Sequence, residues 1–107
     1  MATFYRVVKT NPPTESDFIS YRARGIRLRR DTPENRRLWE GVSVASSLGA
    51  ARNLAARFPV MGQYIAVLDV PEGGLVRFEQ TTDVSTHYTL WGEPRVMLEM
   101  VISVVPL

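Results

Sequence analysis

The sequence predicts a single α+β domain over residues 1–107, a mixed or antiparallel twisted sheet of five to six strands with three to four short helices. Three observations carry this. Short runs with period-two apolar alternation recur along the chain, and helix starts fall between them. Strands and helices alternate irregularly, which favours α+β over a regularly layered α/β sheet. No repeat, low-complexity tract or linker divides a chain of single-domain length.

The clearest pattern runs from Gly41 to Gln80. Gly41-Val42-Ser43-Val44-Ala45 is a short β-branched strand, with Ser43 opposite Val42 and Val44. Ser46 or Ser47 is placed to cap the helix that follows. Leu48, Ala51, Leu54, Ala55 and Phe58, three and four apart, line one helical face, and Pro59 ends it. Tyr64–Val70 is apolar on both faces, as in a central strand. Pro71-Glu72-Gly73-Gly74 has turn chemistry, so Leu75–Gln80 is expected to return as a hairpin partner.

The first strand is Thr3–Lys9. Phe4, Arg6 and Val8 share one face, Tyr5 and Val7 the other. Arg6 interrupts an apolar strand, where an unpaired charge is costly, so it calls for a partner, an edge or a cleft. Asn11-Pro12-Pro13 breaks the strand. Thr14-Glu15-Ser16-Asp17 opens a helix through Phe18, Ile19 and Tyr21 to Gly25. Thr32-Pro33-Glu34 starts a second helix, with Thr as cap and Pro at the first helical position, ending near Trp39. After a polar loop, His87–Leu90 reads as a strand and Gly92-Glu93-Pro94 as a helix start running to about Glu99. Met100–Val105 is apolar on both faces and reads as a central strand. The expected core is Val7, Val44, Leu54, Phe58, Ile65, Val67, Phe78, Ile102 and Val104.

Cysteine is absent and histidine occurs once, which excludes thiolate chemistry and a His- or Cys-rich metal site. No apolar run approaches the ~20 residues of a membrane helix, and the first residues lack a secretory layout, so a cytoplasmic protein is expected. The net charge is +2, yet Arg22, Arg24, Arg27, Arg29, Arg30, Arg36 and Arg37 crowd one segment, opposed there by Asp31 and Glu34. Such a segment is either a solvated surface or a binder of nucleic acid or an acidic partner. The apolar stretch from Met100 to Leu107 offers a further alternative, a homodimeric structural protein.

No Gly-rich phosphate loop or nucleophile elbow is present. Ser43, Ser46 and Ser47 surround a strand-to-helix junction. His87 sits among Thr81, Thr82, Thr86 and Tyr88, a polar and aromatic setting suited to a ligand edge. Glu79 alternates with Val76 and Phe78, and Glu99 borders the last strand.

Three pieces resemble the ADP-ribosyltransferase-like fold: Tyr5-Arg6 on the first strand, the Ser43 strand followed by the small-residue helix from Ser46 to Arg52, and a late carboxylate, Glu79 or Glu99. The resemblance implies a transferase using NAD as cofactor. It makes Arg6 the residue holding the dinucleotide phosphate or ribose, Ser43 the lining of the nicotinamide pocket, and Glu79 or Glu99 the carboxylate that orients the ribose. Separately, the charge of Arg6 within an apolar strand, Ser43 turned opposite Val42 and Val44, and the polar-aromatic setting of His87 lead to the expectation that these three residues, with Glu79 or Glu99, face one pocket between two halves of the sheet.

Overall fold

The computed structural model describes all 107 residues. It is an α+β domain with one six-stranded sheet and three helices. In chain order these are β1 (Ala2–Val8), α1 (Pro33–Trp39), β2 (Val42–Ala45), α2 (Leu48–Arg57), β3 (Tyr64–Val70), β4 (Arg77–Gln80), β5 (His87–Trp91), α3 (Pro94–Glu99) and β6 (Val101–Pro106). Single 3-10 turns lie at Glu15–Phe18 and Pro59–Met61. No helix is long and apolar enough to cross a membrane.

The sheet order is β4-β5-β2-β1-β3-β6, and every pairing is antiparallel. The pairings are unequal. β1 and β3 match over seven residue pairs, Ala2↔Val70 to Val8↔Tyr64, and β2 and β5 over four. β1 and β2, at the middle of the sheet, meet in the single pair Tyr5↔Ala45. The sheet is therefore two well-paired halves, β4-β5-β2 and β1-β3-β6, joined by one rung.

Alternation assigns the two faces. Phe4, Val8, Val42, Val44, Leu68, Val70 and Leu90 point to the larger core, covered by Phe18 of the first 3-10 turn, Met97 of α3 and Val76. The Phe4 ring meets Phe78 and Tyr88 at centroid distances of 5.1 Å, a range typical of favourable aromatic pairs. The second face buries Ala45 and Ile65 against Ala51 of α2, with Tyr5 and Leu48 alongside. Alanines at this contact let the helix lie close to the sheet.

The local capping signals form as read. Ser47 Oγ accepts from the Ala50 N–H and Thr32 Oγ1 from the Asn35 N–H, with Pro33 opening α1.

Several longer-range expectations are corrected. The Thr14–Gly25 helix is one 3-10 turn, because only its Asp17–Phe18 end is buried and no apolar stripe continues to support further turns. β4 does not form a hairpin with β3; it crosses to the far edge and pairs with β5. β6 is an edge strand, so Ile102 is 61% exposed and Val104 half-buried. Val7, Val44, Ile65 and Val67 are core, Leu54 and Phe78 are half-buried, and Phe58 is exposed.

Candidate functional site: a cleft where the sheet opens

Beyond Tyr5↔Ala45 the strands β1 and β2 separate, and a cavity of about 580 Å³ occupies the opening. That size suits a small-molecule ligand. Asp17, Tyr21, Arg24 and Leu38 line it from one side, Leu54, Phe58 and Met61 from the other, and Arg6, Ser43 and His87 also border it.

Arg6 leaves β1 on the face of Phe4 and Val8, whereas Ser43 leaves β2 on the opposite face, exposed between buried Val42 and Val44. Both reach the cleft because the sheet is open between them. The guanidinium donates from Nε to the Asp17 carbonyl at 2.7 Å and from Nη1 to the Ser43 carbonyl at 2.6 Å. Nη2 makes no hydrogen bond within the protein, and no carboxylate forms an ion pair with Arg6. Burial, helped by the nearby Arg24 charge, pushes Arg6 down to about 10, against the opposing pull of Asp17 and Tyr21. It stays charged at neutral pH.

Asp17 is engaged elsewhere. Oδ1 accepts from the Lys9 N–H, and Oδ2 from the Thr10 hydroxyl and the Thr14 N–H, each at 2.9 Å. Burial alone would raise its pKa, but these three hydrogen bonds and Arg6 outweigh it and hold the carboxyl below the usual value. This carboxylate ties down the Asn11-Pro12-Pro13 loop. Reading Thr14-x-x-Asp17 as a capping box was the available signal for it.

His87 pairs with Ala45 across β2–β5, on the α2 side of the sheet. Its Nδ1 lies 3.2 Å from Thr81 Oγ1, which lies 2.7 Å from Thr89 Oγ1. Partial burial lowers its pKa, favouring the neutral ring.

The two glutamates expected to complete the pocket stay outside it. Glu79 on β4 is held by Arg37 in an exposed ion pair that depresses its pKa, and Arg37 in turn stacks over Trp91 at 4.5 Å. The position of β4 at the sheet's far edge takes Glu79 away. Glu99 ends α3 in solvent, on a helix that covers the larger core. Arg24, read only as part of the Arg-rich segment, lines the cleft, as do Tyr21, Leu54 and Phe58. Their sequence spacing carries no mark of this, because the cleft is built by strand order.

Comparison with family models, curated proteins and solved structures returns no match.

Proposed function

We propose that the chain binds a nicotinamide dinucleotide (NAD), or a related nucleotide, in this cleft, in the manner of an ADP-ribosyltransferase-like domain. One observation carries the reading. Arg6 is a half-buried cation that borders the cleft, with no carboxylate in ion-pair contact and with Nη2 free of any hydrogen bond within the protein. Asp17, whose oxygens are spent on Lys9, Thr10 and Thr14, offsets that charge only in part, and a phosphate oxygen arriving at Nη2 completes its pairing. Arg24 stands beside it and adds a second fork. Tyr21, Leu54 and Phe58 give apolar and aromatic walls suited to the rings of a nucleotide.

The reading is of a binding site. Cleavage at the nicotinamide ribose calls for a carboxylate beside the developing positive charge. Asp17 lines the cleft, but its oxygens hold Lys9, Thr10 and Thr14, and neither Glu79 nor Glu99 borders it.

The test is calorimetric titration of NAD into wild type and Arg24→Ala. Arg24 is exposed and the one hydrogen bond of its side chain, to the Ser16 carbonyl, is 3.3 Å long, so truncating that side chain leaves the fold intact. A lost charge-assisted contact weakens binding about tenfold. No heat with wild type rejects the ligand; equal affinity in the variant rejects Arg24 as a contact.

A second reading, binding of nucleic acid through the Arg22–Arg37 segment, keeps a narrower basis. Arg22, Arg36 and Arg37 are each paired with a carboxylate: Glu40, Asp31 and Glu79. Arg27, Arg29 and Arg30 are exposed and unpaired.

A further inference from the structure

We propose that the hydroxyl chain Thr89–Thr81 holds His87 as the neutral tautomer with its proton on Nε2, so that His87 presents a donor to the cleft and selects an acceptor oxygen on the ligand there. For the identity of that ligand the proposal rests on the nucleotide reading above; for the tautomer it does not.

The argument is a count of protons. Thr89 is 2% exposed, and its hydroxyl has one partner, Thr81 Oγ1 at 2.7 Å. Thr81 Oγ1 has a second neighbour, His87 Nδ1 at 3.2 Å. Each hydroxyl carries one proton to donate, and a neutral imidazole carries one N–H and one bare nitrogen. If Thr89 donates to Thr81, Nδ1 is the acceptor that the protein offers the Thr81 proton, and the whole chain is satisfied without solvent. Nδ1 is then bare and the ring proton sits on Nε2. In the reverse direction Nδ1–H donates to Thr81 and Thr81 to Thr89. The Thr89 proton then sits on a residue 2% exposed with no other protein acceptor within hydrogen-bond distance. A buried unsatisfied donor is disfavoured strongly enough to tip the balance roughly tenfold or more.

His87 borders the cleft, and with Nδ1 turned to Thr81 the ring nitrogen left for a ligand is Nε2. Arg6 and Arg24 border the same cleft, and their guanidinium groups are donors as well. The cleft is thus matched to acceptor atoms: phosphate, ribose or carbonyl oxygens. Thr81 and Thr89 act as positioning residues, and His87 is a specificity residue rather than a base.

The experiment is nitrogen NMR of the ¹⁵N-labelled chain. His87 is the single histidine, so its ring signals need no assignment. At neutral pH the ligand-free protein should show protonated Nε2 and bare, hydrogen-bonded Nδ1. Thr81→Val should raise the Nδ1–H share several-fold, a change that loss of packing alone does not produce. Added NAD should move the Nε2 resonance while it stays protonated. Nδ1–H in wild type, an unchanged ratio in Thr81→Val, or bound NAD with Nε2 unmoved overturns the proposal. If NAD does not bind, the nucleotide reading falls, and the ligand-free tautomer decides this one by itself.

Discussion

Arg6 and Ser43 are joined from guanidinium to main chain: Nη1 of Arg6 donates to the Ser43 carbonyl at 2.6 Å, across strands that share one ladder pair. The side chain stands in for the rungs that β1 and β2 lack, since a strand carbonyl facing the opening would otherwise have no protein donor.

Arg6→Met keeps the stem and removes the fork. It leaves the Asp17 and Ser43 carbonyls without their donor. Charge-assisted hydrogen bonds contribute about 1.5–3 kcal/mol each, so urea unfolding should show a loss of about 2 kcal/mol or more. A loss under about 0.5 kcal/mol, the level of surface changes, would mean that water serves these carbonyls equally well.

Leu54 separates cleft from core. It is half-buried on α2 and faces the opening, beside buried Ala51 and Ala55. Leu54→Ala should cost about 1 kcal/mol, below the 2–5 kcal/mol of a fully buried leucine, while weakening NAD binding. Full core cost with unchanged NAD affinity would move Leu54 back into the core.

Gly41 precedes β2 with no room for a side chain. A Cβ there would sit 2.9 Å from the Leu90 carbonyl and from Trp91 Nε1, and would collide with the Thr89 methyl. Gly41→Ala should destabilise by about 1–3 kcal/mol, the range for overpacking. Thermal unfolding of that variant beside Gly49→Ala, where nothing lies within 4 Å, provides the control.

Asp17 fixes the acid limb of stability. Its folded pKa lies below the unfolded value of about 4, so its contribution is present above that value. It is lost as pH falls from about 4 through the folded pKa. Asp17→Asn should be less stable at pH 7 and show a flatter acid limb; an identical acid midpoint in both proteins would assign that limb to other carboxylates.

His87 acts in a milder window. Its folded pKa is lowered, so below about 6.5 the unfolded chain binds the extra proton. Stability should therefore decline as pH drops from about 6.5 through the folded value. His87→Gln should remove that slope, and a slope that persists in the variant would exclude His87 as its source.

What the sequence made legible was local. Thr32-Pro33 and Ser47 announce helix starts through groups within three residues, and those contacts form. Arg6 was legible because a charge in an apolar strand has few resting places. Pairing partners were not. Pro71–Gly74 specifies that the chain turns, but not that β4 travels to the opposite edge. Val101–Val105 is apolar on both faces, and that pattern does not distinguish a doubly paired strand from an edge. Placing Glu79 near Arg6 depended on these non-local choices, and so it failed with them.

The strand order also governs how the domain can assemble. Following the chain, β1 belongs to one half of the sheet, β2 to the other, β3 to the first, β4 and β5 to the second, and β6 to the first again. Neither half is a continuous stretch of chain. β2 waits for β5, with Val44 pairing Tyr88, and β3 receives its outer neighbour only when the last strand arrives. Contacts of such long sequence separation require large loops to close before they stabilise anything, which slows folding. The same interleaving means that a nick in one connection cannot release a half as an independent unit. A joint with one main-chain rung is thereby kept closed by connectivity, and a fragment ending before β5 should have no folded state of its own.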